Sequence, residues 1–206
     1  GCRPIERLRR LGLLIPPLVG VHMTQIEDEE IALYAQSGAQ VVHCPQSNLK
    51  LASGHCPVLR LLHAGINVAL GTDGAASNND LDMFGEMRSA AMLAKSAVGD
   101  PTALPAERCL EMATLGAARA LALDEITGSI EPGKQADLVA VDLDHPATQP
   151  VFNPVSQIVY AAGRDQVSDV WVAGRAVVEN GALTSIDTGA AIAAAERWRK
   201  KISEGS

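Results

Sequence analysis

The chain has 206 residues, of which 47% are hydrophobic, and its formal net charge is -7 at pH 7. The apolar fraction is sufficient for a buried core, which excludes a disordered chain and predicts a globular protein. The acidic balance and the absence of a basic run argue against nucleic acid or an anionic membrane surface as the partner, and they favour a small ligand.

The first half of the chain alternates between apolar strands and helix-length segments. The hydrophobic spacing predicts, in order, a helix over Pro4–Leu14, a strand over Leu18–Met23, a helix over Glu27–Ser37, a strand over Gln40–Cys44, a polar loop over Gln46–Gly54, a helix over Pro57–Ala64 and a strand over Asn67–Leu70. Continuous apolar strands joined by helices are typical of a parallel sheet covered by helices. We therefore predict an α/β fold.

The second half has a different pattern. It begins with two amphipathic helices, over Leu81–Lys95 and Pro105–Leu123, and from Gly128 onward glycine turns separate short apolar runs. A hairpin is predicted over residues 170–178 and a terminal helix over Thr188–Lys201. These changes divide the chain into an α/β part at residues 1–127, a β-rich module at 128–186 and a C-terminal helix at 187–206.

Three polar residues end three successive predicted strands: His22, His43 and Asp73. In a parallel sheet the carboxyl ends of the strands share one edge, where α/β enzymes place their working side chains. Imidazole and carboxylate groups ligate zinc and transfer protons near neutral pH. Each residue alone also has a structural interpretation, since a histidine in an apolar strand is often a buried core residue and Asp73 could cap a turn. Their recurrence at consecutive strand ends favours a site.

The cysteines and the apolar runs indicate the compartment. Cys2, Cys44, Cys56 and Cys109 form no Cys-x-x-Cys pair and lie in apolar segments, a pattern typical of reduced, buried thiols. No apolar run approaches the roughly 18 residues of a membrane span, and no signal-peptide pattern is present. We therefore predict a cytoplasmic protein. The chain opens without Met in the basic amphipathic stretch Ile5–Leu14, which predicts that it begins inside a domain.

Four segments resemble a known superfamily. HCPQSNLKLASG at residues 43–54 and VALGTDGAASNNDLDMFGEMR at 68–88 resemble the late barrel strands of the metal-dependent amidohydrolases. The nearest resemblance is to the branch that holds 5-methylthioadenosine/S-adenosylhomocysteine deaminases and triazine chlorohydrolases. GSIEPGKQADLVAVD at 128–142 and DVWVAGRAVVENG at 169–181 resemble the small β-sandwich domain of that superfamily.

The resemblance implies a fold and an activity. The fold would be the last strands, about six to eight, of a (β/α)8 TIM barrel, with part of a β-sandwich domain. The activity would be a hydrolytic deamination that uses one divalent metal ion, zinc in most members, and releases ammonia from a purine nucleoside such as 5-methylthioadenosine or S-adenosylhomocysteine. Members of the branch are often oligomeric, which is compatible with a homo-oligomer but leaves the oligomeric state open.

The resemblance implies roles for individual residues of this chain that stand at positions matching the family's motif. Asp73 matches the aspartate that ends the eighth strand, which ligates the metal and accepts a proton from the attacking water. His22 matches the histidine that ends the sixth strand and orients that water at the substrate. Ser77 matches a loop position at the wall of the substrate pocket. His43 has no firm role in the pattern, and we predict a structural role for it.

The sequence also departs from the family pattern. The family has a His-x-His metal pair and a further ligand histidine followed three residues later by a proton-shuttling glutamate. The five histidines of this chain, which are His22, His43, His55, His63 and His145, show neither spacing, and we interpret the last three as structural. The resemblance thus implies that the other metal ligands lie in an N-terminal barrel portion that this chain needs, and that the chain alone binds metal poorly because zinc sites use three or four ligands.

Other functions remain open from the sequence. One is a different hydrolase of the same branch, such as a chlorohydrolase or another nucleobase deaminase. Another is a non-catalytic barrel fragment that acts as a complementing or interacting piece. A free-standing doubly wound sheet that binds a nucleotide is disfavoured, because no glycine-rich phosphate loop opens a predicted helix.

Overall fold

A computed structural model describes residues 1–205, which divide into two compact units. The first unit consists of residues 1–134 and 143–164, and the second of residues 135–142 and 165–205. The helices of the first unit are α1 Pro4–Arg10, α2 Asp28–Ser37, α3 Pro45–Lys50, α4 Val58–His63, α5 Met83–Val98, α6 Ala106–Ala113, α7 Leu115–Ala120 and α8 Pro154–Tyr160. The domain boundaries proposed from the sequence, after residues 127 and 186, stay predictions.

The first unit contains a three-stranded sheet with the order β1-β2-β3. Its strands are β1 Val19–Val21, β2 Gln40–His43 and β3 Val68–Leu70, and both pairings are parallel. Each strand is followed by helical segments, so the predicted alternation of strands and helices around a parallel sheet is confirmed. Parallel strands place all three carboxyl ends at one edge of the sheet, which we call the carboxyl edge.

Alternation along β2 assigns its side chains to the two faces of the sheet. Val41 pairs with Val68 and His43 pairs with Leu70, and paired residues share a face. Val41, Val68 and Leu70 belong to the buried core, together with helix residues such as Leu61 and Met87. His43 therefore points to the face that the helices cover, and Val42 points to the opposite face.

One predicted loop contains a helix. The segment Gln46–Gly54 was expected to be a polar loop, but Pro45 begins the helix α3, in which Ser47 and Asn48 are buried. The prediction was wrong because a distant residue stabilises this helix: the buried Glu86 accepts a hydrogen bond from the backbone N–H of Gln46 at 3.2 Å. Local sequence contains no sign of that contact.

A second difference concerns the predicted helix over Pro105–Leu123. The segment forms α6 and α7, which meet at Thr114, whose φ of -122° and ψ of -97° are not helical. The bend brings the carbonyl oxygen of Gly116 to the side-chain amide of Asn67, which donates a hydrogen bond at 2.9 Å. A tertiary contact next to β3 therefore accompanies the interruption of an otherwise continuous helical pattern.

The second unit contains a four-stranded antiparallel sheet and one helix. Its strands are β4 Leu138–Val141, β5 Val167–Val172, β6 Arg175–Glu179 and β7 Ala182–Leu183, in that spatial order, and α9 spans Thr188–Glu204. The predicted hairpin is confirmed as β5 and β6. Its two turn residues, Ala173 and Gly174, both have positive φ, at 49° and 77°, as a type I′ turn requires.

The structure also shows how the cysteines are placed and how apolar the helices are. All four cysteines are free, and Cys44 and Cys109 are buried as predicted. The prediction was wrong for Cys56, which is partly exposed, and for Cys2, which is exposed and precedes the first helix. Among residues 1–205, no helix combines the length and the apolar character that crossing a bilayer requires.

Candidate active site

His22 and Asp73 lie just beyond the ends of β1 and β3, at the carboxyl edge. Both residues have left-handed backbone conformations, with φ of 71° and 65°. The backbone N–H of His22 still donates to the carbonyl oxygen of Val42 at 3.0 Å, although His22 lies one residue beyond the end of β1. Side chains other than glycine adopt this conformation rarely, and such strained positions cluster at functional sites.

The structure brings these two side chains together. His22 Nε2 lies 3.7 Å from Asp73 Oδ2, although β2 separates their strands. Both side chains are partly exposed, at 38% for His22 and 31% for Asp73, so a ligand can reach them. An imidazole and a carboxylate at this spacing can act on one bound molecule.

Asp73 is held in its ionised form. The hydroxyl of Ser47 donates to Oδ2 and the backbone N–H of Gly74 donates to Oδ1, both at 2.7 Å. The hydroxyls of Ser77 and Ser47 and the N–H of Gly74 lower the pKa of Asp73 to about 2. Ser77 has one hydroxyl proton, which it donates to the carbonyl oxygen of Gly74 at 3.1 Å, so Ser47 is the direct side-chain partner of the carboxylate.

The orientation of His22 depends on a residue that sequence reasoning did not select. His22 Nδ1 lies 2.8 Å from Oδ1 of Asn48, which is on α3 and is buried. An amide oxygen only accepts hydrogen bonds, so Nδ1 must bear the proton in this contact. In the neutral imidazole, Nε2 then has a free lone pair directed toward Asp73.

Ser77 and His43 occupy different surroundings. Ser77 lies half-buried in the loop after Asp73 and is held by Gly74, which places it beside the carboxylate. His43 is only 4% exposed and points to the helix-covered face. Burial, with smaller contributions from His22 and His55, lowers the pKa of His43 to about 4, so this side chain is neutral near pH 7.

A buried carboxyl group, that of Glu86, connects two of the segments that position the site. Glu86, on α5, is completely buried and accepts hydrogen bonds from the backbone N–H of Gln46 at 3.2 Å and from Asn78 Nδ2 at 2.5 Å. It thereby joins the start of α3, which presents Ser47 and Asn48, to the loop that follows Asp73. Burial raises the pKa of Glu86 to about 7.

Sequence reasoning missed Ser47, Asn48 and Glu86 for an identifiable reason. Ser47 and Asn48 fall in the segment interpreted as a polar loop, and Glu86 falls on a helix with no motif of its own. The signal for the first two was their position directly after a predicted strand, at the edge where the site was expected. Glu86 gave no local signal, because its partners are 8 and 40 residues away.

The fit of these residues to a divalent metal ion is partial. Asp73 provides an ionised, accessible carboxylate, and His22 Nε2 lies beside it, so Asp73 fits a metal ligand with oxygen donors. Across the described residues, 1–205, no group of three or more His, Cys, Asp or Glu side chains is positioned to hold a metal ion. A zinc site uses three or four protein ligands, so the described residues do not complete one by themselves.

Comparisons with known proteins identify relatives of this chain. Residues 2–177 match the amidohydrolase family. The chain is 52% identical over 202 residues to a 5-methylthioadenosine/S-adenosylhomocysteine deaminase of Teredinibacter turnerae, which covers 98% of this chain and 46% of the relative. An adenosine deaminase from Xanthomonas campestris, solved with bound zinc, matches 98% of this chain and 46% of its own at a TM-score of 0.96 and 55% identity.

A more distant solved structure has a different activity. An atrazine chlorohydrolase from Arthrobacter aurescens, complexed with zinc, matches with a TM-score of 0.84 and 28% identity, over 94% of this chain and 43% of that one. The chain spans about half the length of the curated relatives it matches. The similarity therefore extends over nearly all of this chain and over less than half of each of these proteins.

Proposed function

Because this chain belongs to the amidohydrolase family, we propose that it supplies the metal-binding aspartate of a zinc-dependent hydrolytic deaminase. The observation that carries the proposal is the approach of His22 Nε2 to Asp73 Oδ2, at 3.7 Å, across the ends of two parallel strands. The substrate would be a purine nucleoside of the 5-methylthioadenosine or S-adenosylhomocysteine type. Its amino group would leave as ammonia while the oxygen of water takes its place on the ring carbon.

The proposal includes an architecture. The three parallel strands would be strands six to eight of a (β/α)8 barrel, and the antiparallel sheet would be part of a β-sandwich domain. An N-terminal barrel portion would supply the remaining metal ligands and the proton-shuttling glutamate. The assembled protein would be a cytoplasmic homo-oligomer. The strand order and the 3.7 Å contact support the assignment of the three parallel strands to the barrel.

Each side chain at the carboxyl edge has a role in the proposed reaction. A bound zinc ion would supply a water molecule whose pKa is lowered from about 16 to about 7. Asp73 would ligate the ion and accept the remaining water proton during attack. His22 would accept a hydrogen bond at Nε2 and so orient the water, and Ser77 would contact the substrate from the loop.

The function is tested on the protein at its full gene-encoded length. We expect ammonia release from 5-methylthioadenosine or S-adenosylhomocysteine, with a kcat/KM at least about 100-fold above that for chloride release from a chlorinated triazine, a difference of about 3 kcal/mol. The higher identity to the deaminases, 52% and 55% against 28%, favours this order. The reverse preference would identify a chlorohydrolase. Absence of turnover and of bound zinc would support the non-catalytic alternative.

Asn48 should affect catalysis through His22. Replacing it by Leu removes the oxygen that holds the Nδ1 proton, and we expect kcat to fall about 10- to 100-fold with KM changed less than about threefold, as for other residues that orient a site histidine. Asn48→Asp keeps an acceptor oxygen and should retain more of the activity. The measurement is steady-state kinetics, together with the 15N chemical shifts of His22, which report the tautomer.

The control for Asn48 is Gln135→Leu, which removes an exposed amide in the second unit and should leave kcat unchanged. If Asn48→Leu and Asn48→Asp lose equal activity, or if the His22 tautomer is the same in both, Asn48 does not orient this histidine.

A further inference from the structure

The loop that contains Ser77 consists of turns and bends. It runs from Gly74 to Leu81, between β3 and α5. Within it, the backbone N–H groups of Ser77 and Asn78 donate to the carbonyl oxygen of Gly74, at 3.1 and 2.8 Å. Such short-range hydrogen bonds define a turn, but they do not fix where the loop lies on the protein. Contacts with other segments must do so.

Lys50, the last residue of α3, makes such a contact. Its Nζ donates to the carbonyl oxygen of Ala76 at 2.9 Å and to Oδ1 of Asn79 at 2.5 Å. These two acceptors flank Ser77 and Asn78 in the sequence, so the ammonium group holds the loop on both sides of Ser77. Both hydrogen bonds have a charged donor, which makes them stronger than hydrogen bonds between neutral groups.

Two further contacts hold the loop, and both lie after Ser77. Glu86 accepts a hydrogen bond from Asn78 Nδ2 at 2.5 Å, and Arg164 donates to the carbonyl oxygen of Asp80 at 2.9 Å. The part of the loop that precedes Ser77 is instead held by the ammonium group at the end of α3. The position of the turn therefore depends on that group.

The same helix holds the two central side chains of the candidate site. Ser47 donates to Asp73, and Asn48 accepts a hydrogen bond from His22. Since Lys50 lies on this helix as well, its contact fixes the loop relative to the histidine and the aspartate.

We propose that Lys50 is a positioning residue that keeps Ser77 in its substrate-binding position, an inference that rests on the proposed function. Without the Lys50 contact the loop adopts several conformations, and the apparent affinity for substrate falls with the fraction that can bind it. Asp73 keeps its own partners, Ser47 and Gly74, so zinc binding and the chemical step do not depend on Lys50.

Lys50→Met tests this role in the protein at its full gene-encoded length. We expect the KM for the deaminated nucleoside to rise about tenfold, which corresponds to a correctly held loop in about one tenth of the molecules. The kcat should change less than about threefold and the zinc content should not change. Lys50→Arg keeps a cationic donor and should keep KM within about threefold of the wild type. Lys200→Met, on an exposed face of α9, is the control and should leave KM unchanged.

A second substitution assigns the effect to the contact itself. Asn79→Ala removes one of the two acceptors and should raise KM less than Lys50→Met does. Added to Lys50→Met, it should have no further effect, because the contact is already lost. A double variant in which the two effects on KM multiply would show that Lys50 acts through another contact, and it would overturn the inference.

Hydrogen exchange at the amides of Ser77 and Asn78 gives a readout that does not depend on turnover. Both amides should exchange faster in Lys50→Met than in the wild type and in Lys50→Arg. Unchanged exchange, or an unchanged KM in Lys50→Met, would overturn the inference. Absence of turnover in the wild type would instead refute the proposed function, and the exchange rates would then decide whether Lys50 holds the loop.

Discussion

Replacing Asp73 by Asn in the protein at its full gene-encoded length should lower kcat/KM for the proposed deamination at least about 10³-fold, or about 4 kcal/mol of transition-state stabilisation. The substitution leaves the backbone intact, because Asn tolerates the left-handed φ of 65° that Asp73 adopts. It removes the negative charge that Ser47 and Gly74 stabilise and with it the proposed metal ligand and proton acceptor. Activity and zinc content are measured on the same purified sample.

The matched control for this experiment is Asp80→Asn in the same loop. Asp80 is exposed, and its Oδ1 accepts a 3.3 Å hydrogen bond from the backbone of Asp82 that an Asn oxygen would preserve. Activity and zinc content should be unchanged in this variant. An Asp73→Asn protein that keeps most of its activity would refute the proposed role of the carboxylate and with it the proposed function.

Replacing Glu86 by Gln should destabilise the protein at pH 5 by about 1 to 3 kcal/mol. A neutral carboxyl group can still accept hydrogen bonds at both oxygens, from Asn78 Nδ2 and from the Gln46 N–H, whereas Gln has one oxygen and a donor NH₂ group. One of the two donors would then face another donor in a fully buried position. Urea unfolding measures the difference.

The same substitution should change how stability depends on pH. Burial first, and the nearby charges of Asp80 and Asp82, raise the pKa of Glu86 from 4.5 to about 7, although the hydrogen bonds from Gln46 and Asn78 oppose this shift. Between these values the folded state binds the proton that the unfolded state has lost, so stability falls as pH rises. One pKa unit corresponds to about 1.4 kcal/mol, which makes the expected loss about 3 kcal/mol.

Glu86→Gln removes this titration, so the stability deficit of the variant relative to the wild type should shrink between pH 4.5 and about 7 and should be small or reversed at pH 8. Glu125→Gln, which changes an exposed glutamate of the first unit, should follow the wild-type curve. Hydrogen exchange at the Gln46 amide gives a local check, with faster exchange expected in Glu86→Gln. Parallel wild-type and variant curves across this pH range would show that Glu86 is not a buried titrating group.

The backbone of the candidate site could be predicted from the sequence because its signals are local. Apolar runs marked β1, β2 and β3, and the polar residues at their ends placed His22 and Asp73 at one edge, where the structure also has them. The hairpin of the second unit was likewise visible, in the turn at Ala173 and Gly174 between two strand-forming runs.

The supporting residues of the site could not be predicted because their interactions join distant parts of the chain. The tautomer of His22 depends on Asn48, 26 residues later, and the helix that presents Asn48 depends on Glu86, 40 residues after Gln46. Nothing in the local pattern around these residues distinguishes them from other polar positions. A charged residue in the first turn of a helix, such as Glu86, is usually exposed, so the sequence favoured the wrong environment for it.

The strand order of the first unit has a consequence for any work with the isolated chain. Within residues 1–205, β1 and β3 each pair with β2 alone, and the outer row of backbone N–H and C=O groups on each of them meets no other strand. Such rows can template the addition of a strand from another polypeptide. A separately expressed segment with suitable strands could therefore assemble onto this chain, and in its absence two copies of the chain offer the same rows to each other.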